Sequence, residues 1–505
     1  MKTVSLSNFS NGVQAPRAQV TGGCISSRHF MLESTKLIPY RDMETESLDS
    51  GTLADQRLTD VIRFIPTGQP QQLFALGQVS TSNPYPKFYQ KSTTDSVSAS
   101  FQAIANGEDT TGVVIPGTLI GYKGALYCLK TRAGSTYLVK HVYATSTTEF
   151  ATVLGLSPSN GVVPSMFIHP KDNRLYMASG YTAGSFDGTT LSTRDFSTGH
   201  DITSITYYGN NIMLGMVSRD SNSSVMAVWD GSTTSSVLVD VVEFGNDTLL
   251  VLENIGDVVV GVSGISVGGA SGTGIYNTIT LRAYAGGTAQ AFKTIESIGS
   301  LGSRVYPLKA KRNNRLYFPV SAYLNGTRVH QIWCVYKNEA GNLVITPDIK
   351  PNNNTELVSE SIIGLSAVGD YKWVAFSASS STGSIFRTND TESYTSTSSW
   401  TSLVNPGVEV GDRSKKKQLK AVSLRCGSPA ASSHTVTLSY SADGGAFNTI
   451  YTGSSSAIVR VIEEVAQADR KPFLEAREYI FKIETTGNGE IYELKYAYEI
   501  KPTLI

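Results

Sequence analysis

The chain has 505 residues, and its 42 basic and 42 acidic side chains balance, so no global field draws it to nucleic acid or to an anionic membrane. No uninterrupted apolar stretch approaches the roughly 18 residues of a membrane helix, and no charged start followed by an apolar run marks a secretion signal, which predicts a soluble chain. The 4 cysteines stand far apart, which predicts neither a zinc site nor a disulfide framework and indicates reduced thiols made in a cytosol.

Residues 1–62 differ in composition from the rest of the chain and predict an extended N-terminal arm. A single basic residue, Arg57, stands among the acidic residues of its last part, which are Asp42, Glu44, Glu46, Asp49, Asp55 and Asp60. The apolar residues of the arm are too few for a core of their own and include Phe9, Phe30, Leu37, Ile38 and Tyr40. We expect these side chains to dock onto a neighbouring surface, either the next domain or another subunit.

A short apolar cluster recurs seven times along the middle of the chain, at intervals of about fifty residues. The clusters are Leu73–Leu76, Leu126–Leu129, Leu175–Met177, Ile212–Leu214, Val258–Val260, Leu316–Phe318 and Trp373–Phe376. Most of them follow a small polar turn, as Leu316–Phe318 follows Asn313-Asn314-Arg315. Each unit then runs to a further strand that closes on an aromatic residue and a tight turn, as in Trp229-Asp230-Gly231.

Such a unit is a small antiparallel sheet of about four strands, and a sheet of this size cannot bury its own two faces. Stacking copies around an axis covers both faces and leaves few free edges. The repeat therefore predicts an all-β protein in which residues 63–395 form a β-propeller. About seven blades fit the repeat, and six or eight remain open.

The pattern changes after a linker over 396–417. From 418 to 505 apolar and polar residues alternate, and the residues that share an apolar face include Val422, Leu424, Cys426, Val436, Leu438, Tyr440, Phe447, Thr449, Tyr451, Tyr479, Phe481, Ile483, Tyr492, Leu494, Tyr496 and Tyr498. A period of two with one apolar face marks strands that pack on a second sheet. This part predicts a C-terminal β-sandwich.

No residue pattern in the chain indicates a catalytic site, a cofactor or a bound metal. The 6 histidines include no pair at metal-ligand spacing, and neither GxSxG nor GxxxxGK[ST] occurs. Glycosidases do occur on propellers and need two carboxylates, but turn geometry explains the acids of the repeated turns, which are Asp172, Asp187, Asp230, Asp257 and Asp370. The segment Ser441–Phe447 resembles the Asp-box hairpin of sialidases, yet its aromatic residue falls one position early and it lies outside the predicted propeller. We therefore predict that the chain is not an enzyme, and a sialidase-like glycoside hydrolase is the less favoured alternative.

Two basic groups interrupt the otherwise mixed charge pattern. The first comprises Lys309, Lys311, Arg312 and Arg315, and the second comprises Arg413, Lys415, Lys416, Lys417 and Lys420. Solvated surface is the default interpretation of both. Because opposite local charges in a neutral chain suit self-assembly, the second group is also a candidate to meet the acidic part of the arm, in the same or an adjacent subunit.

Four segments together resemble virion structural proteins of tailed bacteriophages, in particular the propeller-containing tail hub, nozzle and DNA-stabilisation proteins of short-tailed phages. They read NFSNG, KLIPYRDMETE, SSWTSLVNPGVEVGDRSKKKQLKAVSLRC and VTLSYSADGGAFNTIY. The resemblance covers about the first 50 and the last 110 residues, and the middle only as architecture. The family offers no catalytic residue to carry over.

The resemblance implies a non-enzymatic part of a phage tail that forms a multi-copy ring around the channel through which DNA is ejected. Its partners would be further copies of itself and other tail or neck proteins, with transient contact to DNA in the lumen. Its location would be the virion, after synthesis in the host cytoplasm. Since a lumen that lets DNA slide should not be strongly basic, we assign the second basic group to a subunit interface. The candidate interface residues are Arg413, Lys415, Lys416, Lys417, Lys420, Asp42, Glu44, Glu46, Phe9 and Tyr40.

A second hypothesis from another functional class is a host-recognition module. Loops on one face of the predicted propeller would then bind a glycan or a protein on the cell surface. The segment Asn83-Pro84-Tyr85-Pro86, with Phe88 and Tyr89, has the aromatic content of a sugar-binding platform, although the same residues serve equally well for packing.

Overall fold

The structure is a computed structural model of the chain, and it describes most residues from 57 onward together with five short strands before them. The described residues are 2–6, 26–28, 30–32, 37–39, 43–45, 57–78, 84–91, 100–143, 146–156, 164–196, 199–220, 223–232, 234, 238–245, 247–266, 275–296, 303–305, 308–324, 327–338, 340–349, 361–369, 371–377, 384–388, 398–404, 416–427, 435–453, 458–462, 473–486 and 489–501. Within them the regular structure is β-strand without a helix, so the all-β prediction is confirmed.

The predicted arm contributes five short strands, β1 to β5. They are Lys2–Leu6, Ser26–Arg28, Phe30–Leu32, Leu37–Pro39 and Met43–Thr45.

The next seventeen strands form four small antiparallel sheets, each with its strands in or close to chain order. Strands β6 to β9 are Arg57–Phe64, Gln72–Gln78, Pro86–Lys91 and Gln102–Glu108. Strands β10 to β14 are Val113–Val114, Ile120–Tyr122, Ala125–Arg132, Ser135–Val142 and Ser146–Leu156. Strands β15 to β18 are Ser165–Ile168, Leu175–Ser179, Thr182–Phe186 and Leu191–Asp195, and β19 to β22 are His200–Tyr208, Asn211–Ser218, Ser224–Trp229 and Leu238–Phe244.

The strands that follow continue the same antiparallel pattern. Strands β23 to β26 are Thr248–Ile255, Val258–Ser266, Ile275–Ala285 and Thr288–Glu296. Strands β27 to β31 are Ser303–Val305, Ala310–Arg312, Arg315–Leu324, Thr327–Lys337 and Leu343–Ile349, and β27 pairs with both β25 and β29. Strands β32 to β34 are Ser361–Val368, Tyr371–Ser377 and Ser384–Thr388, and β5 pairs with β34 as the fourth strand of their sheet.

Each of the seven apolar clusters lies on an inner strand of this series, namely β7, β12, β16, β20, β24, β29 and β33. The alternation within a cluster sends its side chains to two different cores. On β7, Phe74 and Leu76 join a core shared with β10–β14, whereas Leu73 and Ala75 join a core shared with β32–β34. Since fully burying one such large side chain contributes about 1.5–3 kcal/mol, this two-sided burial stabilises each sheet against both neighbours.

The same arrangement repeats from one sheet to the next. Tyr127 of β12 packs with Met177 of β16. Tyr176 of β16 faces the other way and packs with Trp229 of β21, their ring centroids 6.0 Å apart. Beyond it, Met213 of β20 shares a core with residues of β23 and β24. An inner strand of this kind therefore serves two cores at once.

Two tight turns of the repeat have the backbone conformation that their sequences predict. Between β28 and β29, Asn313 and Asn314 have φ values of 48° and 56°, and between β25 and β26, Gly286 and Gly287 have φ values of 58° and 85°. Two successive positive φ angles define the tight hairpin turn whose twist matches that of the flanking strands.

The chain divides into two compact units. Unit 1 comprises Met1–Asp42, Gln331–Asn354 and Asn389–Ile505, and unit 2 comprises Met43–His330 and Thr355–Thr388. The last strands of unit 1, β35 to β42, are Ser398–Val404, Lys417–Gly427, Thr435–Ala442, Asn448–Gly453, Ile458–Ile462, Glu475–Ala476, Tyr479–Thr486 and Glu490–Ile500.

Two antiparallel sheets of unit 1 share one apolar core. In the first, β36 lies between β42 and β39, and β1 and β4 also pair with β42. In the second, the order is β2-β35-β41-β37-β38. Leu424 and Leu494 of the first sheet pack in this core with Leu438 and Phe481 of the second, and all four are buried. The alternating faces predicted from 418 onward meet in this core except at three positions. Phe447 and Thr449 are exposed, and a register shift between Arg425 and Cys426 brings Ile491 rather than Tyr492 into the core.

The arm strands β1, β2, β4 and β5 pair with strands of their own chain, at β42, β35, β42 and β34 respectively. The predicted bound between residues 62 and 63 falls inside β6, and the one between 417 and 418 falls inside β36. The division into arm, propeller, linker and sandwich stays a prediction.

Candidate functional site

A shallow cavity of about 410 Å³ lies where the segment before β8 passes the hairpin between β12 and β13. Its lining residues are Pro84, Tyr85, Gly112, Val113, Thr131, Arg132, Ala133 and Gly134. Cavities of about 300–1,000 Å³ are the size range of small-molecule sites in proteins. The cavity is the first candidate site.

Backbone contacts hold the first wall of the cavity in place. The Pro84 carbonyl accepts a hydrogen bond from the Val114 N–H at 2.9 Å, and the Pro86 carbonyl accepts one from the Asp109 N–H at 3.0 Å. A proline ring fixes its own φ, so two prolines around Tyr85 restrict the path of this wall further.

The second wall approaches so closely that one position requires glycine. Gly112 has φ 81°, and a Cβ atom there would lie 2.6 Å from the Thr131 carbonyl oxygen. On the far side the hairpin turns through Ala133 and Gly134, with φ values of 48° and 78°. The two walls are therefore fixed by turn geometry and by backbone packing.

Arg132 is one of the residues that line this cavity. The guanidinium carbon lies 4.6 Å from the ring centroid of Tyr137, and one of its terminal N–H groups donates to Thr111 Oγ1 at 3.3 Å. Beside it, the buried Lys130 ammonium lies 2.6 Å from Asp109 Oδ2, which balances the charge of that carboxylate. Stacking and the Thr111 contact together orient the planar group.

The aromatic segment proposed as a sugar platform divides in the structure. Tyr85 lines the cavity, whereas Phe88 and Tyr89 are fully buried in two different cores. Asn83 lies outside the described residues. Tyr85 and Pro84 of this segment line the cavity, and Gly112 and Arg132, which line it too, come from remote segments and belong to no sequence pattern.

The candidate interface residues are described only in part. Arg413, Lys415, Asp42, Glu46, Phe9 and Tyr40 lie outside the described residues, and Glu44 is described as backbone of β5, where it pairs with Arg387. Lys416 is exposed, and Lys420 has its ammonium 3.7 Å from Glu499 Oε2. The pairing of this basic group with the acidic part of the arm stays a prediction.

Lys417 has a different environment from its neighbours. It is 1 % exposed, and its ammonium donates to the Arg477 carbonyl at 3.1 Å, while its own carbonyl accepts from the Tyr479 hydroxyl at 2.8 Å. The Lys417 side chain therefore packs within unit 1.

The other basic group is neutralised in part by a carboxylate. Glu253 Oε2 lies 2.9 Å from the Lys309 ammonium, and its Oε1 lies 3.6 Å from that of Lys311. Lys309 also donates to the carbonyls of Ile205 and Leu252, at 3.0 and 2.6 Å. These contacts join β28 and the residues before it to β19 and β23, so both lysines have a packing role.

Two buried titratable groups have strongly shifted pKa values. Burial raises the pKa of Asp60 to about 7, although its carboxylate accepts from Thr59 Oγ1 at 3.0 Å and from the Gly117 N–H at 2.8 Å. Burial lowers the pKa of His141 to about 4, and its ring stacks on Phe88 with centroids 5.2 Å apart. Both groups lie at sheet contacts, Asp60 toward the loop before β11 and His141 on β13.

Among the acids of the repeated turns, Asp187 and Asp230 cap their own loops, and Asp370 lies outside the described residues. Asp187 Oδ1 accepts from the Thr189 and Thr190 N–H groups at 2.9 and 2.7 Å, and these bonds lower the pKa of Asp187. Asp230 Oδ1 accepts from the Ser232 N–H at 2.8 Å. In the hairpin between β37 and β38, Asp443 has φ 49° and belongs to the turn.

Within the described parts of the chain, no group of three or more His, Cys, Asp and Glu residues is suited to hold a metal ion. Cys128, Cys334 and Cys426 are buried free thiols. The same parts contain no helix that is apolar and long enough to cross a bilayer.

No protein-family model matches the chain, and no curated protein matches it. A solved glycoside hydrolase is similar over 88 % of this chain and 98 % of its own, with 10 % identity and a TM-score of 0.28. An acylaminoacyl peptidase from Pyrococcus horikoshii is similar over 58 % of this chain and 57 % of its own, with 11 % identity and a TM-score of 0.30. Because both TM-scores lie below 0.5, neither likeness carries an argument about this chain.

Proposed function

We propose that this chain is a non-enzymatic structural component of a phage tail, in the hub, the nozzle or an adjacent ring. Several copies would form a ring around the channel through which DNA leaves the virion. Further copies of the chain and other tail or neck proteins would be its partners. Contact between the lumen of the ring and DNA would be transient. The proposal rests on the four sequence segments that resemble such proteins and on the scaffold that lies between them.

The proposed scaffold is a closed seven-bladed β-propeller followed by a β-sandwich. In this proposal the blades are β6–β9, β11–β14, β15–β18, β19–β22, β23–β26, β28–β31 and β32–β34 with β5. Closure is supported by the core in which Leu58 and Val61 of β6 pack with Trp373 of β33, because it joins the first sheet of the series to the last. A strand from before the first blade, β5, completes the last one.

The observation that carries the structural role is that buried polar groups tie successive sheets together. Asp60 of β6 accepts from the Gly117 N–H, and Thr136 of β13 hydrogen-bonds Ser179 of β16 at 2.7 Å. Thr206 of β19 donates to Glu253 Oε1 of β23 at 3.2 Å. Because each bond crosses from one sheet to the next, the bonds resist sliding between sheets, as a rigid building block for an assembly requires.

In this proposal, contacts between subunits come from the second basic group and the acidic part of the arm. Lys416 is exposed, and Arg413 and Lys415 precede it on the way into β36. Opposite charges brought together at an interface steer association and fix its register more than they add affinity. Assembly through these charges would therefore weaken as salt rises.

Imaging tests the proposal most directly. The purified chain and purified phage particles are examined by electron microscopy, and a symmetric ring on the tail axis is the expected result. A chain that stays monomeric at micromolar concentration, and that is absent from the tail of the particle, would contradict the proposal.

Charge reversal tests the interface. Replacing Lys415 and Lys416 by Glu should lower the ring fraction measured by mass photometry at low salt. Lys495→Glu is the matched control, since Lys495 lies on β42 with 47 % of its side chain exposed and pairs with Glu493 at 2.9 Å. Equal assembly of the two variants and the wild type would remove this interface from the proposal.

A further inference from the structure

The cavity between the Pro84–Pro86 segment and the β12–β13 hairpin has the features of a binding site, and we propose that it binds a carboxylate-bearing sugar residue. This inference goes beyond the structural role and does not depend on it. A tail component can carry a glycan site, and the site can exist if the chain has another role.

The first support is that the cavity is formed before any ligand arrives. Backbone hydrogen bonds from Val114 to Pro84 and from Asp109 to Pro86 hold one wall. The other wall packs so closely on Gly112 that a Cβ atom there would lie 2.6 Å from the Thr131 carbonyl. A site whose walls are already ordered loses little conformational entropy on binding.

The second support is the chemistry of the polar side. Arg132 lines the cavity, and its guanidinium plane is held between the Tyr137 ring, 4.6 Å from its carbon, and Thr111 Oγ1 at 3.3 Å. A guanidinium presents its N–H donors in a planar fork that matches the two oxygens of a carboxylate. The neighbouring carboxylate of Asp109 is paired with Lys130 at 2.6 Å, which limits its repulsion of an incoming anion.

The third support is the chemistry of the apolar side. Tyr85 and Pro84 line the cavity, and Val113, which is 45 % exposed, stands beside them. An apolar and aromatic surface beside a few fixed polar groups is the usual composition of a small-molecule site. A pyranose ring has apolar C–H faces and polar edges, so a sugar acid satisfies the ring surface and the guanidinium together.

The shallow shape separates this ligand class from others. At about 410 Å³ and lined on one side by a two-residue hairpin turn, the cavity accommodates one sugar ring. An isolated small carboxylate would use Arg132 alone and leave Tyr85 and Val113 in water. A sugar ring beside the carboxylate would cover these apolar residues.

The experiment compares methyl β-glucuronide with methyl β-glucoside, which differ in the C6 carboxylate. Binding to the full chain is measured by saturation-transfer NMR and by calorimetry, with acetate as a third probe. The glucuronide should bind at least tenfold more tightly than either the glucoside or acetate. Equal binding of the two glycosides, equal binding of acetate, or no binding of the glucuronide at millimolar concentration would overturn the proposal.

Two variants assign the binding to this cavity. Arg132→Gln and Tyr85→Ala should each weaken glucuronide binding at least tenfold, and Arg132→Gln should also abolish the preference over the glucoside. The matched control is Arg425→Gln, because Arg425 also stacks on a tyrosine, 5.6 Å from the Tyr492 centroid, but does not line the cavity. Circular dichroism checks that each variant is folded, and unchanged binding in both folded cavity variants would overturn the assignment.

Discussion

Replacement of Asp60 by Asn is expected to remove a dependence of stability on pH that the buried carboxyl imposes. Burial raises the pKa of Asp60 from 3.8 in the unfolded chain to about 7 in the folded one. Because the folded state holds the proton more tightly, the stabilising contribution is complete below pH 3.8 and is lost as the pH rises through about 7. Asn keeps the shape of the group. Its amide can donate to Thr59 Oγ1, and the Thr59 hydroxyl can still donate to the Leu76 carbonyl at 3.3 Å.

The magnitude follows from the two pKa values of Asp60. Between pH 5 and pH 8, the stability of the wild type relative to the Asn variant should fall by about 3 kcal/mol, at roughly 1.4 kcal/mol per pH unit below the folded pKa. For a domain of this size, 3 kcal/mol corresponds to a change in Tm on the order of 5 °C. The titration of His141 changes the stability in the opposite direction over part of this pH range. Because His141 is present in both proteins, its contribution cancels in the difference.

The assay is differential scanning calorimetry of both proteins at pH 5 and pH 8 in the same salt. The control is Asp187→Asn, since turn hydrogen bonds lower the pKa of that exposed carboxyl, so its replacement should give no fall of this sign. A difference between wild type and the Asp60 variant that is the same at both pH values would refute the reasoning, because it would mean that the carboxyl is solvated.

Three further substitutions test other parts of the structure. His141→Gln should show the reverse trend: because burial holds the pKa of His141 near 4, the wild type should lose about 2 kcal/mol relative to the variant between pH 7 and pH 5, measured by urea denaturation. Trp229→Ala should destabilise the chain by about 3–5 kcal/mol, because its side chain is fully buried between two sheets, and a thermal melt would show this as a lower Tm. Glu253→Ala should cost about 2 kcal/mol, since it leaves Lys309 and Lys311 without their carboxylate, and the double replacement of both lysines by Met in that background should recover part of the loss. No recovery in the triple variant would argue against charge pairing as the cause.

The strands were predictable where their pairing is local. The cluster Leu73–Leu76 follows a turn and alternates between two cores, so both its strand and its burial are visible in the residues themselves. The alternation of Val436, Leu438 and Tyr440 likewise indicates the buried face of β37. In each case the physical signal, a period of two beside a turn, lies within about ten residues.

The remaining features depend on pairings across long stretches of chain. Strand β5 has three residues and shows no sequence pattern of its own. It pairs with β34 because β34 would otherwise leave its backbone N–H and C=O groups unpaired at the edge of the sheet. Lys417 stands in a run of lysines that indicates a solvated surface, yet it is buried. Its ammonium donates to the carbonyl of Arg477, which is 60 residues away in the chain. The cavity around Arg132 combines three segments, and no local pattern connects them.

The first and last strands of the described chain hydrogen-bond to each other, since Lys2–Leu6 runs antiparallel to Leu494–Tyr498 on β42. During synthesis the strands of each sheet from β6–β9 to β19–β22 meet within a few dozen residues, whereas β1 must wait until nearly five hundred more have left the ribosome. A bulky fusion at the N-terminus should therefore delay the maturation of unit 1 while sparing the earlier sheets. Unit 1 would then be the last part of the chain to mature.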